Sequence, residues 1–361
     1  MKINIEIPHQ SYPVKIGAKL ETFIEELIVL TDKEKVCLIT NNTLQNIYGD
    51  RIDSMFKRAN LRCYKIVLDD GEQYKNMDTI NNILIKMSEQ RIERFTPVVA
   101  FGGGVVGDIA GFASSIYLRG LPFINIPTSL VAQVDSSVGG KTGVNLKTGK
   151  NLVGTFYQPR YVHIDANLLN TLDKSEFTAG MAEVIKHAVI ASDDFLRFLE
   201  QQSTAIKKLS QKELEIMISK CVKIKGNITA RDEKEQNLRR ILNLGHTAGH
   251  GLELLSGYGN LKHGSGVAIG MVVAARISER LGLSGSAFFD RMERLLKTYN
   301  LPFRIPGDID TEKLIETMYM DKKIRKKKIE FVLPQKPGKV KPGVVVEEKL
   351  LKEVIDELKI S

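Results

Sequence analysis

The chain has 361 residues, of which 43% are hydrophobic and 26% charged, and its formal net charge is +9. This length exceeds the needs of one typical domain, so we expect two domains. The apolar stretches are too short or too broken by glycine to span a bilayer, and Glu6 interrupts the segment that would form the apolar part of a signal peptide. We therefore predict a cytoplasmic protein that does not contact a membrane.

The cysteines and the basic residues exclude further classes. Cys37, Cys63 and Cys221 lie far apart without Cys-x-x-Cys spacing, which argues against a disulfide framework and a thiolate metal site. The positive charge is densest between residues 322 and 328, but aromatic residues make up only 7% of the chain and do not alternate with basic ones, as base stacking would require. A solvated turn or small anionic substrates explain the charge better, and we predict no nucleic-acid partner.

Short apolar segments alternate with a helical pattern in the first half of the chain. Residues 36–40 and 98–101 resemble buried strands, whereas residues 79–91 have helical spacing, and this alternation is typical of a parallel sheet. After about residue 171, helical patterns cover 176–191, 212–230, 241–256 and 266–281, and a strand pattern returns only at 329–333. We predict an α/β domain over residues 1–173 and a mostly α-helical domain over residues 174–361.

A glycine-rich turn follows the predicted strand 98–101. Residues 102–107 contain G-x-G-x-x-G between a strand and a helix, where glycines let backbone amides approach a pyrophosphate at a helix N-terminus. The segment about 20 residues further on has no acid to bind the ribose hydroxyls. The pattern therefore favours a dinucleotide on a variant of the Rossmann plan, with a purely structural tight turn as the alternative.

A second glycine cluster, at residues 139–143, contains Gly-Lys-Thr. A P-loop needs another glycine six positions before the lysine, and Asp135 occupies that position, so we exclude a P-loop ATPase. Residues 135–151 instead concentrate Asp135, Lys141, Lys150 and Asn151, which we place in a loop. Ammonium groups pair with phosphate and carboxylate, whereas Asp and Asn bind hydroxyls, so this loop suits an anionic, hydroxylated ligand. An ordinary surface loop is the alternative.

Three of the six histidines, His246, His250 and His263, lie close together in the sequence. His246 and His250 are four residues apart in a helical segment and share one face, which allows a metal site or an acid–base pair but also occurs on ordinary exposed helices. His263 follows a glycine-containing segment that would let it reach back to that helix. On spacing alone, His246 and His250 would bind a metal as a pair.

Glu183 is the best carboxylate candidate for such a site. Its helical segment is otherwise apolar, and a carboxylate on that face needs a partner. Catalytic zinc keeps three protein ligands and an open position, and it accepts imidazole and carboxylate. His187 is a competing ligand, while His9 and His163 lack supporting neighbours and are expected to be structural.

Seven segments in this order resemble the 3-dehydroquinate synthases, the shikimate-pathway family of the sugar-phosphate cyclases, and they cover nearly the whole chain. They are Asp70-Gly-Glu-Gln-Tyr-Lys75, Gly102-Gly-Gly-Val-Val-Gly-Asp108, Pro127-Thr-Ser-Leu-Val-Ala-Gln-Val-Asp-Ser-Ser-Val-Gly-Gly-Lys141, Gly149-Lys-Asn-Leu-Val-Gly, Ala182-Glu-Val-Ile-Lys186, Asn243-Leu-Gly-His-Thr-Ala-Gly-His250 and Asp321-Lys-Lys. Relatives do not need a histidine at His187, which argues against it as a ligand. Ser129 stands where Thr is common and keeps the hydroxyl.

The resemblance implies a dehydroquinate synthase-like fold, with an N-terminal Rossmann-like α/β nucleotide-binding domain, a mostly α-helical C-terminal domain, an active site in the cleft and a homodimer. It also implies NAD as a cofactor. The implied NAD-binding residues are Asn42, Asp70, Gly71, Glu72, Gln73, Tyr74, Lys75, Gly104, Val105, Val106, Gly107, Asp108, Thr128, Ser129, Lys141, Lys150, Leu168, Leu169, Asn170 and Thr171.

The resemblance further implies one divalent metal ion, zinc or cobalt, bound by Glu183, His246 and His263. The implied substrate is a sugar phosphate, 3-deoxy-D-arabino-heptulosonate 7-phosphate, whose phosphate meets Arg119 from the partner subunit. The implied substrate residues are Arg119, Asp135, Lys141, Asn151, Lys186, Lys225, Arg239, Asn243, His246, His250, His263 and Lys322.

The implied activity is that of a lyase that forms 3-dehydroquinate and phosphate. Its steps are transient oxidation by NAD, phosphate elimination, re-reduction, ring opening and aldol closure, with the metal as Lewis acid. His250 is the expected base, assisted by Glu235, and Lys141 and Asn151 complete the catalytic set. Lys225 and Arg239 would hold the substrate carboxylate.

Three alternatives remain. A metal-dependent polyol dehydrogenase shares the layout but needs no grip on carboxylate or phosphate, which the many candidate lysines provide here. Another sugar-phosphate cyclase, which makes an aminocyclitol precursor, uses the same elementary steps, and only the carboxylate pair Lys225 and Arg239 disfavours it. A nucleic-acid-binding protein on a dead enzyme fold is disfavoured because the candidate catalytic residues are present.

Overall fold

The computed structural model describes residues 1–8, 10–30, 35–257, 261–321 and 328–360, and His9 and Lys322 lie outside these ranges. The chain forms two compact units. The first contains Met1–Leu172 and Leu214–Glu233, and the second contains Asp173–Glu213 and Lys234–Ser361. The sequence boundary after residue 173 lies near this division, but residues 214–233 group with the first unit. The assignment of two domains stays a prediction.

The first unit is built on a sheet. Its strands are β1 Lys2–Ile7, β2 Gln10–Ile16, β3 Lys35–Asn41, β4 Arg62–Leu68, β5 Val98–Gly102, β6 Phe123–Pro127, β7 Lys141–Leu146, β8 Gly149–Phe156 and β9 Tyr161–Ile164. Among the described residues, seven strands follow the order β1-β2-β9-β6-β5-β3-β4. All neighbours pair in parallel except β1 and β2. The predicted strands 36–40 and 98–101 fall within β3 and β5.

Helices cover both faces of this sheet. They are α1 Phe23–Leu30, α2 Asn42–Arg58, α3 Met77–Glu89 and α4 Gly104–Ile116. Successive side chains of a strand point to opposite faces, so Val98 and Ala100 of β5 pack with Ile109 of α4, whereas Val99 and Phe101 belong to the core on the other face. Burial on both sides explains why the strands are continuous apolar runs.

The loop predicted over residues 135–151 is wrong from residue 141 onwards, because β7 and β8 form an antiparallel hairpin there. Gly143 and Gly154 pair across it, and a Cβ at Gly154 would lie 2.0 Å from the backbone oxygen of Thr142. Glycine at such contacts permits close approach of two backbones. Because glycines and polar residues interrupt the alternation of apolar side chains, the sequence gives no clear strand signal.

The second unit is mainly helical. The remaining elements are α5 Lys174–Ala191, α6 Asp193–Gln201, α7 Ser203–Lys207, α8 Gln211–Arg231, α9 His246–Leu255, α10 His263–Arg280, α11 Ser286–Thr298, α12 Thr311–Asp321, β10 Glu330–Lys336, β11 Lys339–Val345 and α13 Glu348–Glu357. Most of α8 belongs to the first unit. The helix predicted over 241–256 begins only at His246, because Gly245 before it has the left-handed φ of 82°. The strand predicted at 329–333 is β10.

Two exclusions from the sequence can be compared with the structure. In the described part of the chain, the helices lack the length and apolarity that a membrane span requires. Cys37, Cys63 and Cys221 are not joined in disulfide bonds, as their spacing predicts. Burial raises the pKa of Cys37 and that of Cys63 to about 12, so both stay protonated at neutral pH.

Candidate active site

Three helices of the second unit bring Glu183, His246 and His263 together. Glu183 lies within α5, whereas His246 and His263 are the first residues of α9 and α10. Each offers one ligand atom, and these atoms lie within 4.8 Å of one another. Glu183 Oε1 is 3.3 Å from His263 Nε2 and 3.8 Å from His246 Nε2. We call these residues the Glu–His cluster; one carboxylate and two imidazoles form a donor set that suits zinc and leaves a coordination position open.

Glycines at the helix contacts allow the close approach that the Glu–His cluster needs. A Cβ at Gly270 of α10 would lie 1.9 Å from the backbone oxygen of Gly245, which precedes α9. A Cβ at Gly264, next to His263, would lie 1.9 Å from the backbone oxygen of Ala179 in α5. Larger residues at these points would push the helices apart, and with them the ligand side chains.

The charges around Glu183 prepare it for a cation. Its side chain is only 2% exposed and forms an ion pair with Lys186 one turn later in α5. Burial lowers the pKa of His246, and the charge of Lys186 lowers it further, so this imidazole is neutral. Burial also lowers the pKa of His263, but hydrogen bonds to Glu183 and Glu253 outweigh it and raise that pKa. The two carboxylates beside His263 thus favour its charged form, and binding of a metal at Nε2 would require that nitrogen to be deprotonated.

His250 lies beside the Glu–His cluster. Its ring centroid is 5.2 Å from that of His246 and 6.1 Å from that of His263. In the described ranges, His250 groups instead with Glu253 and His263 in a second set of ligand atoms within 4.8 Å of one another. His187 is buried and belongs to neither set. The geometry therefore fits the division of roles implied by the resemblance better than a metal pair of His246 and His250, and these roles stay predictions.

Other predicted residues of the second unit lie on a short 3-10 helix, Leu238–Asn243, and just before it. Asn243 Nδ2 donates a hydrogen bond of 2.9 Å to Glu235 Oε1. Glu235 has a left-handed φ of 57°, and strained backbone of this kind clusters at functional sites. Arg239 is almost fully buried. Its charge therefore lies in a low-dielectric environment.

Glu253 is a site residue that the sequence did not lead us to predict. This buried carboxylate accepts a hydrogen bond of 2.8 Å from His263 Nδ1. A signal was available, because Glu253 follows His246 by seven residues and so lies on the same face of α9.

In the first unit, the G-x-G-x-x-G turn connects β5 to a helix as the sequence predicts. Gly102 ends β5, Gly103 is the N-cap and Gly104 begins α4. A Cβ at Gly103 would lie 3.3 Å from Ser129 Oγ, and one at Gly104 would lie 3.2 Å from Ser136 Oγ. The turn therefore presents the amides of a helix N-terminus beside serine hydroxyls, which suits a pyrophosphate.

The other implied NAD residues gather at the carboxyl ends of the parallel strands. Asn42 follows β3, Asp70 follows β4 and Thr128 follows β6. The Asn42 side chain donates to Asp69 Oδ1 over 3.0 Å, and the Thr43 amide donates to Asp70 Oδ2 over 3.1 Å, so adjacent loops are joined. Nucleotides bind at this edge of α/β sheets.

Residues 168–171 are further residues implied to bind NAD. Leu168 and Leu169 have buried side chains, so a ligand can contact these two residues only at their backbone atoms unless the core opens. The Thr171 hydroxyl is 2.7 Å from Tyr48 Oη. This segment is thus anchored to α2.

A polar network attaches the β7–β8 hairpin to residues 72–75. Lys75 Nζ is 2.6 Å from Asp108 Oδ2 and donates to Asn151 Oδ1 over 2.6 Å. Asn145 Nδ2 donates to Glu72 Oε1 over 2.7 Å, and the Asn151 amide donates to Asn145 Oδ1 over 2.8 Å. We call these five residues the hairpin network. It fixes Asn151, whose φ of 55° is left-handed, and with it the strand that carries Lys150.

Lys225 and Asp135, both implied substrate residues, are paired within the first unit. Lys225 Nζ is 3.0 Å from Asp135 Oδ2 and donates to the Asp135 carbonyl over 2.8 Å. Asp135 belongs to a π-helical turn, Ala132–Ser136, a rare conformation that is frequent at functional sites. Lys141 begins β7 and is exposed, as is Arg119, which has a left-handed φ of 66°.

The chain matches known proteins along nearly its whole length. Residues 65–179 match the family profile described as 3-dehydroquinate synthase N-terminal, and residues 180–324 match the one described as 3-dehydroquinate synthase C-terminal. The 3-dehydroquinate synthase of Shewanella pealeana is 43% identical over 355 residues, which cover 98% of this chain and 98% of the relative.

Two solved structures share the fold over nearly the whole chain. A 2-deoxy-scyllo-inosose synthase, complexed with carbaglucose-6-phosphate, NAD+ and Co2+, is 28% identical with a TM-score of 0.90 and 99% coverage of both chains. The 2-epi-5-epi-valiolone synthase of Streptomyces hygroscopicus, with NAD+ and Zn2+ bound, is 25% identical with a TM-score of 0.89 and 97% coverage of both. By sequence along its full length, the present chain belongs to the 3-dehydroquinate synthase family.

Proposed function

We propose that this enzyme converts 3-deoxy-D-arabino-heptulosonate 7-phosphate to 3-dehydroquinate and phosphate, as the family name indicates. The observation that carries the proposal is the Glu–His cluster, in which a buried carboxylate meets two imidazoles from two other helices. Full-length identity of 43% to a 3-dehydroquinate synthase supports the substrate. A homodimer and a cytoplasmic location are further proposals that rest on the family resemblance.

The chain's own residues fit both cofactors. The Glu–His cluster would hold a zinc or cobalt ion, and the glycine turn with the loops after β3 and β4 would hold NAD. When bound there, NAD would supply reversible hydride transfer and the metal would supply Lewis acidity towards substrate hydroxyls.

His250 is the proposed proton acceptor for the substrate hydroxyl that is oxidised. Its ring centroid is 5.2 Å from that of His246, and it lies beside the Glu–His cluster without belonging to it, a position that suits a general base. The Asn243–Glu235 hydrogen bond would assist by orienting polar groups nearby.

Cations bind the two acidic ends of the substrate in this proposal. The family resemblance assigns Lys225 and Arg239 to the carboxylate, and each of these side chains is buried within its own unit. Lys141, Lys186 and Asn151 contact the remaining groups, and Arg119 of the partner subunit contacts the phosphate. Lys322 stays part of the proposal, although it lies outside the described residues.

A phosphate-release assay tests the function. With the heptulosonate phosphate, NAD and zinc, we expect phosphate release without net accumulation of NADH, and we expect a chelator or the omission of NAD to stop it. Net NADH formation with a simple polyol and no phosphate release would instead favour a polyol dehydrogenase.

The same assay separates the proposed enzyme from other sugar-phosphate cyclases. Glucose 6-phosphate lacks the carboxylate that Lys225 and Arg239 would bind, so we expect no turnover of it. Faster release from glucose 6-phosphate than from the heptulosonate phosphate would transfer the assignment to a cyclase of aminocyclitol precursors.

A further inference from the structure

Glu253 has no role in the function proposed above. It lies on α9 and its side chain is buried, yet its Oε1 is 2.8 Å from His263 Nδ1. Burial of a carboxylate costs free energy unless it is paired, and His263 is one such partner for Glu253.

The imidazole of His263 lies between two carboxylates. Its Nε2 is 3.3 Å from Glu183 Oε1 within the Glu–His cluster, and its Nδ1 is turned to Glu253 on the other side. His263 is the first residue of α10, and its side chain is 41% exposed, so packing alone does not fix the ring. The contact with Glu253 therefore sets which nitrogen faces Glu183.

The surrounding backbone leaves room for Glu253. A Cβ at Gly266 of α10 would lie 3.2 Å from Glu253 Cγ, and a Cβ at Gly249 of α9 would lie 2.9 Å from the backbone of Gly266. Two glycines thus let the carboxylate pass between α9 and α10 to reach His263. The same close approach sets the distance between His246 and His263.

We propose that Glu253 is a positioning residue that prepares His263 to bind the metal. By accepting a hydrogen bond from Nδ1–H, the carboxylate fixes the tautomer in which the Nε2 lone pair points to the Glu–His cluster, and it raises the basicity of that nitrogen. The inference rests on the proposed metal site, because it assigns Glu253 a role only if Glu183, His246 and His263 bind the ion.

The test measures zinc affinity rather than turnover. The metal-free full-length chain is titrated with zinc against a chromophoric chelator, for the parent and for Glu253→Gln and Glu253→Met. Met removes the acceptor and should weaken zinc binding about 10- to 100-fold, a typical effect for loss of such a partner. Gln keeps an acceptor oxygen without the charge and should weaken binding less. One equivalent of zinc should bind in each case.

Glu176→Gln is the matched control. It removes the same charge from an exposed carboxylate that pairs with Lys262, the neighbour of His263, over 2.6 Å. We expect zinc affinity unchanged in this variant. Because Met and Gln replace a buried charge with neutral side chains of similar size, both variants should fold, and a far-UV spectrum verifies this.

The outcomes are distinguishable. Parent-like zinc affinity in Glu253→Met would overturn the positioning role while leaving the metal site intact. A second tight equivalent of zinc in the parent, absent from Glu253→Gln, would also overturn it, because Glu253, His250 and His263 Nδ1 would then form a metal site of their own. No zinc binding by the folded parent would refute the proposed function itself.

Discussion

The Glu–His cluster and the hairpin network hold polar groups in different ways. In the hairpin network, side chains from loops and a hairpin fix one another, as when Lys75 lies between Asp108 and Asn151. In the Glu–His cluster, each ligand is fixed by the helix that carries it, and glycines set the distances between helices. One site therefore depends on hydrogen bonds between side chains, and the other depends on backbone packing.

This difference decides which substitutions matter. Removing a polar partner from the hairpin network should shift a loop and weaken binding in a graded way. Enlarging a glycine behind the Glu–His cluster should displace all three ligands together, because packed helices do not deform continuously.

The largest effect is expected from His246→Ala, with His250→Ala as its matched partner. His246→Ala removes a ligand and should abolish zinc binding and phosphate release together. His250→Ala should keep one equivalent of zinc and lose turnover by a factor on the order of 10² to 10⁴, as for a general base. Metal content and kcat are measured on the same preparations. A His250→Ala enzyme without metal would show that the two histidines had been assigned the wrong way round.

Gly270→Ala tests the role of backbone packing. The added Cβ would meet the Gly245 backbone oxygen, so α9 and α10 must separate, and overpacking of this kind costs about 3 kcal/mol of unfolding free energy. We also expect weaker zinc binding, although no ligand is changed. Gly285→Ala is the control, since a Cβ there meets nothing within 4 Å. Urea denaturation and zinc titration provide the two measurements, and equal behaviour of the two variants would remove the packing argument.

The two regions also differ in how far the sequence predicts them. The strand–turn–helix around Gly102 follows from local pattern, because a buried strand and glycine punctuation occur within a few residues. The Glu–His cluster does not, since its members come from three helices and only their packing shows that His263, rather than His250, meets Glu183. The family resemblance implies the same three ligands, whereas spacing alone suggests His246 and His250 as a metal-binding pair.

Misplaced boundaries have physical causes as well. The helix expected from residue 241 begins at His246 because Gly245, which precedes it, has a left-handed backbone conformation. The periodicity of apolar residues carries no information about such a conformation. The β7–β8 hairpin escaped prediction because glycines interrupt its alternation. Glu253 was missed because an acid on a helix face looks solvated until tertiary structure buries it.

His163 provides a contrast, because it is a histidine used only by the fold of the first unit. Its Nδ1 is 2.9 Å from Tyr161 Oη and its Nε2 is 3.1 Å from the Lys19 carbonyl. Burial lowers its pKa to about 4 although the Lys19 carbonyl favours the charged form. Between pH 6.5 and about 4 the unfolded chain therefore binds a proton that the folded chain does not, and stability falls as the pH falls.

His163→Gln should remove this dependence. Between pH 7 and pH 4, the unfolding free energy of the parent should fall by about 3 kcal/mol more than that of the variant. This value follows because one unit of pKa shift corresponds to about 1.36 kcal/mol. Urea denaturation at several pH values measures it. Parallel curves for the two proteins would show that His163 is not the group responsible.

The smallest effect is expected in the hairpin network, where Asn145→Asp changes one atom. The new carboxylate still accepts from the Asn151 amide but faces Glu72 where Asn145 donated over 2.7 Å. Repulsion there should displace the hairpin and lower kcat/KM for phosphate release about tenfold, as expected for loss of a hydrogen bond to a charged group.

Glu72→Gln in the same chain should restore the network. The Gln amide donates to Asp at position 145, so every hydrogen bond regains a donor and an acceptor, and kcat/KM at saturating NAD should return to within about twofold of the parent. Glu72→Gln alone should have little effect, because its amide can rotate to present oxygen to Asn145. If kcat/KM of the double variant falls by as much as the two single effects combined, residues 72 and 145 do not act through each other. The hairpin would then be held by its backbone, as the Glu–His cluster is.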